Sequence, residues 1–170
     1  MKKRVNTLWV KLLIFVSVFK RFSMQEPVQI ENFKKYPTFV EGASRQENKV
    51  LFSCSEETLQ LSVLSENVFR LRFSPDGILE RDFSYAITPE FVPDNVSFGF
   101  VEKKDQYLVQ TETVICKVAK AGMKVSFNTK KGETILEDDA GFHWEPNRDL
   151  NGNFIYCSKK IQEGEFFFGL

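Results

Sequence analysis

From Lys49 onward, apolar and polar residues alternate with a period of two. In VFRLRFS (68–74), Phe69, Leu71 and Phe73 alternate with Arg70 and Arg72, the pattern of a strand with one face in a core. In TLQLSVL (58–64), Leu59, Leu61 and Val63 alternate with Gln60 and Ser62. Only Ser65, Glu66 and Asn67 separate the two runs, which predicts an antiparallel hairpin. SPDG at Ser74–Gly77 puts proline second and glycine fourth, as a type I turn favours. Residues 96–101, 106–111 and 113–119 read as short strands, the first two joined tightly by KKDQ. MKVSFNTKKGETILED (123–138) predicts a second hairpin, with Gly132 free to take a positive φ in its loop. NFIYCSKKI follows as another strand.

No stretch of ten residues in the body carries a 3.6-residue apolar period. Several short strands with turn signals about every ten residues predict an all-β fold, a sandwich or barrel. Composition agrees: there are 18 phenylalanines, whereas alanine occurs only at 43, 86, 119, 121 and 140. The segment from Ala86 to Asn95, with Pro89 and Pro93, reads as a connecting loop. A length of 170 residues suits one domain with a sizeable core.

The formal net charge of zero hides an asymmetry. Residues 1–23 hold Lys2, Lys3, Arg4, Lys11, Lys20 and Arg21 and no acid, so the remainder carries 17 basic against 23 acidic groups. An acidic body without a basic, aromatic-interleaved patch argues against nucleic acid as a partner. The opening MKKRVNTLWVKLLIFVSVFKRFS imitates a signal peptide, but Lys11 interrupts its apolar run. The clean stretch from Leu12 to Phe19 is far short of the roughly 20 residues a membrane span needs. Met24 begins MQEPVQIENF, which reads as a cytoplasmic start. Residues 1–23 are therefore read as an extension, 24–46 as a lead-in and 47–170 as the body; a real signal or interfacial anchor in 1–23 is the rival reading. Cys54, Cys116 and Cys157 are odd in number and widely spaced, without a C-x-x-C or His-Cys cluster. They read as small buried hydrophobes rather than a metal site or a disulfide framework.

Candidate chemistry is sparse. His143 is the sole histidine, and no metal partner or triad accompanies it. Glu137, Asp138 and Asp139 are consecutive, whereas glycoside hydrolysis needs two carboxyls facing each other roughly 5–10 Å apart. They read as a solvated turn. The phrase GFHWEPN is more informative: Phe142, His143, Trp144 and Glu145 combine aromatic faces with polar neighbours, as a sugar-stacking surface would. The alternative is that Trp144 plugs the core. No catalytic residue, cofactor site or metal site is assigned.

NVFRLRFSPDG, KKGETILEDDAGFHW and KKIQEGEFFFGL, in that order and spacing, resemble the N-terminal region of glycoside hydrolase family 31, the α-glucosidases and α-xylosidases. The resemblance covers about residues 47–170. It implies a galactose mutarotase-like β-sandwich that packs on a catalytic (β/α)8 barrel. The family phrase E-x-F-F/Y-G-L/F-G is matched by Glu165, Phe167, Phe168, Gly169 and Leu170, where the sequence stops. The family's catalytic acids are two aspartates at the ends of barrel strands, and no residue here corresponds to them.

The resulting expectation is an antiparallel β-sandwich incomplete at its C-terminus: the N-terminal domain of an α-glucosidase-like protein, inactive alone. It would support the barrel, in cis or as a separate chain, and make weak contact with α-glucoside carbohydrate. A stand-alone carbohydrate-binding module and an interaction domain for a separately encoded barrel are the alternatives. Phe166 and Phe168 would face one side of a final strand and Phe167 the other, leaving apolar surface under-covered.

Overall fold

The alternating runs become strands because each can bury one face only by meeting a second sheet. The computed structural model describes residues 11–14, 34–81, 92–94, 96–147, 149 and 151–164. Among these, the strands are β1 (Lys11–Ile14), β2 (Gly42–Gln46), β3 (Lys49–Ser53), β4 (Thr58–Ser65), β5 (Val68–Ser74) and β6 (Gly99–Glu102). Then come β7 (Gln106–Gln110), β8 (Val114–Ala119), β9 (Val125–Thr129), β10 (Thr134–Asn147) and β11 (Gly152–Lys159). One sheet runs β1-β5-β4-β3-β2 and the other β11-β10-β9-β8-β7-β6. Every pairing is antiparallel except that of β1 with β5. The fold is thus an all-β sandwich. No helix among the described residues is long and apolar enough to cross a membrane.

The hairpin of β4 and β5 pairs Leu59 with Phe73, Leu61 with Leu71 and Val63 with Phe69, so the apolar sets share one face. That face meets the second sheet. Phe69 lies 5.3 Å from Phe127 and Phe52 lies 5.5 Å from Tyr107, ring centre to ring centre. Leu59, Leu61, Val63, Phe69, Val109, Val114, Val118 and Phe127 have no solvent exposure. Each such side chain stabilises the fold by about 1.5–3 kcal/mol. In the turn after β5, Asp76 accepts from the Ser74 hydroxyl at 2.5 Å and from the Ile78 N–H at 3.1 Å. Those bonds, the Ser74 one first, hold its carboxyl below the usual range. Gly77 has φ +74, as a turn of this shape needs.

Three parts differ from the sequence expectation. The stretch 96–98 carries no ladder, and β6 starts at Gly99. Phe98 is buried there, under the Arg45 guanidinium at 4.2 Å. β2 lies within the stretch read as a lead-in and pairs along its whole length with β3. Ahead of β2, residues 34–41 form a strap across the sandwich: Val40 N–H donates to Lys120 O just past the end of β8, and Glu41 N–H to Ser53 O of β3. The third difference is the length of β10. It pairs with β9 up to Glu137 and with β11 from Asp138 onward, changing partners at a bulge between Asp138 and Gly141. The FFFGL end of the chain lies outside the described residues.

Candidate functional site

Beyond the bulge, alternation along β10 divides the phrase GFHWEPN between two faces. Phe142 and Trp144 turn inward. Phe73 stacks on Phe142 with centroids 5.0 Å apart and tilts against Trp144 at 5.7 Å. Trp144 is also fixed by its backbone, which exchanges hydrogen bonds with Lys35 at 2.8 and 3.0 Å. Both inward rings are buried. His143 and Glu145 take the opposite face.

On that outer face three rings form a row. His143 stacks on Tyr36 of the strap at 5.2 Å and on Tyr156 of β11 at 5.1 Å, with interplanar angles of 22° and 13°. The imidazole is buried, whereas Tyr36 and Tyr156 remain 47% and 40% exposed. His143 Nδ1 lies 3.1 Å from the Gly141 carbonyl, and can donate to it when the proton is on Nδ1. Register pairs His143 with Tyr156 and Glu145 with Phe154, so Phe154 joins the same face, 47% exposed. Of the four residues singled out from the sequence, two therefore line the core and two sit among exposed aromatics. Tyr36, Phe154 and Tyr156 were missed. The alternation of Phe154 and Tyr156 with Ile155 and Cys157 was visible, but which face they shared with β10 depends on register.

The acids after β10 begins are not a solvated turn. Asp138, at the start of the bulge, faces inward on the side of Phe142 and Trp144, where Val125 N–H donates to its Oδ2 at 2.8 Å and Lys159 Nζ donates to its Oδ1. The Asp138 side chain is wholly shielded and that of Lys159 is 5% exposed. Gly141, at φ +74, leaves room for this: a Cβ there would stand 3.1 Å from Asp138 Oδ2. Asp139 is exposed, and Glu137 pairs with Lys160 at 2.8 Å on the surface. The carboxyls thus point different ways and do not face one another across a gap, as glycoside hydrolysis demands.

Nor are the thiols poised to react. Burial pushes Cys157 up to about 11, with Lys159 opposing and Asp138 adding to the rise. Burial, then Glu57 and Glu41, pushes Cys54 up to about 11. Burial also raises Cys116, whose side chain lies in the core. Protonated, buried thiols are poor nucleophiles and poor metal ligands. All three are free cysteines.

The model of the glycosyl hydrolase 31 N-terminal galactose mutarotase-like domain matches residues 58–170. Among solved structures, the family 31 dextranase of Flavobacterium johnsoniae complexed with glucose is 22% identical with a TM-score of 0.54, over 65% of this chain and 15% of that one. A mutant of that dextranase complexed with isomaltotriose gives 24% and 0.53 over the same shares. The cycloalternan-forming enzyme of Listeria monocytogenes, in complex with a pentasaccharide substrate, gives 12% and 0.52 over 65% of this chain and 10% of its own. At these identities the solved structures show a common fold, and the chain spans between a tenth and a sixth of their length. No curated protein matches. The family model covers most of the chain and includes every strand from β4 to β11: this chain belongs to the glycosyl hydrolase 31 N-terminal galactose mutarotase-like domains.

Proposed function

We propose that the chain is the non-catalytic N-terminal sandwich of an α-glucosidase-like enzyme. It supports a (β/α)8 barrel, in cis or as a separate chain, and helps to shape the cleft for an α-linked glucoside. The observation that carries this reading is the family match over residues 58–170 in a chain spanning only 15% of the dextranase. The placement of the acids supports it. Asp138 is committed to a buried ion pair, and Glu137 and Asp139 do not oppose it across a cleft. The solved neighbours hold glucose, isomaltotriose and a pentasaccharide, which favours glucans as the parent's substrate. Weak carbohydrate contact by the sandwich itself belongs to this reading, and so does a cytoplasmic location.

The test is turnover of an aryl α-glucoside. The purified chain gives background rates, and a family 31 barrel expressed without its own sandwich gains solubility and activity when the chain is added. Turnover by the chain alone overturns the reading.

A further inference from the structure

The outer face of β10 and β11 carries an exposed aromatic cluster. Tyr36, His143 and Tyr156 form one stacked row drawn from three separated stretches, and Phe154 and Glu145 lie beside it on the same face. The row is fixed in place. Its middle ring is buried, and the Lys35–Trp144 backbone pair holds the strap against β10. Phe154 and Tyr156 are both substantially exposed on β11, the outermost strand of its sheet among the described residues. Rigid aromatic rings held in water offer contact area at little cost in side-chain entropy.

We propose that this face is a secondary carbohydrate-binding site, taking short α-linked glucan segments across Tyr156 and Phe154. A pyranose presents a C–H face that packs on an aromatic ring and a rim of hydroxyls that need polar partners. The face supplies both. The two exposed rings of β11 offer apolar surface, while the Glu145 carboxylate and the Tyr36 and Tyr156 hydroxyls offer an acceptor and amphoteric groups within the same patch. Such a combination suits a neutral polyol better than an anion, which Glu145 would repel. A protein surface needs a larger apolar area than two exposed rings provide. The site differs from the inward pair Phe142 and Trp144, whose faces are spent on Phe73. It rests on the reading of the chain as part of a glycosidase.

The test uses the 170-residue chain and isomaltotriose, followed by saturation-transfer NMR and titration, with cellotriose as the β-linked comparison. Isomaltotriose should bind the chain and cellotriose should bind more weakly. Tyr156→Ala should weaken isomaltotriose binding about tenfold, the loss of one ring contact. Tyr156→Phe, which keeps the ring, should bind nearly as the parent does. Phe154→Ala should weaken it too, and circular dichroism melts should show each variant folded. Absence of isomaltotriose binding overturns the proposal, as does undiminished binding by a folded Tyr156→Ala chain or burial of the face in a dimer. A chain that binds no sugar and hydrolyses none contradicts this inference and the weak carbohydrate contact, and leaves the scaffold reading standing. A chain that hydrolyses the aryl glucoside contradicts the scaffold reading whatever its sugar affinity.

Discussion

Asp138 and Trp144 show how much a side chain's role depends on which way the backbone turns it. The Asp138–Lys159 pair is shielded from water, so neither charge can be removed alone without stranding the other. Lys159→Met should cost about 3–5 kcal/mol in urea unfolding, because it leaves the carboxylate without its cation. Trp144→Ala should cost about 3–5 kcal/mol as well, by opening a cavity beside Phe73. A surface tryptophan serving only a ligand would lose far less. The cysteines give a pH prediction. Folding raises Cys54 and Cys157 from 9.0 to about 11, so the folded chain holds protons that the unfolded chain releases. The associated stability is complete below pH 9.0 and is lost as the pH climbs towards about 11. Urea melts at pH 7, 9 and 10.5 should show a falling midpoint above 9, and replacing both residues by alanine should lessen the fall, leaving the share due to buried Cys116.

At the level of the strand, β10 joins the two halves of its sheet. Its bulge releases it from β9 and passes it to β11, just past the inward-facing Asp138. Gly141 makes the bulge affordable. Gly141→Ala should destabilise by about 1–2 kcal/mol from the left-handed backbone alone. Further loss is expected where the new methyl meets Asp138. Urea unfolding of the variant measures both. The hairpin β4–β5 was legible in the sequence because Leu59, Leu61, Val63, Phe69, Leu71 and Phe73 repeat strictly and the link is short. The β9–β10 hairpin was legible for the same reasons, with Gly132 at φ +89 in its loop. β2 was not, since GASRQ offers almost no apolar residue and is held by its ladder to β3. The acids of β10 misled for a related reason. Three successive carboxylates resemble a turn, whereas in a strand the middle one faces inward while its neighbours stay out. Composition does not reveal a bulge. The outer aromatic row was illegible too, because Tyr36, His143 and Tyr156 come together only through the register of the strap, β10 and β11.

For the whole molecule, two sheets and a strap account for the core, and among the described residues Asp138 is held in a buried ion pair and the cysteines are free thiols whose pKa burial raises. Family membership explains that economy. In a family 31 protein the sandwich is one part of a longer chain, and this chain spans 15% of the dextranase and 10% of the cycloalternan-forming enzyme. On the proposed function, these 170 residues serve a glycosidase without being one. Hydrolysis of 4-nitrophenyl α-D-glucopyranoside by the purified chain measures this most directly. Release of nitrophenol at the rate of the buffer blank is the predicted result, and turnover that rises in proportion to chain concentration would contradict it.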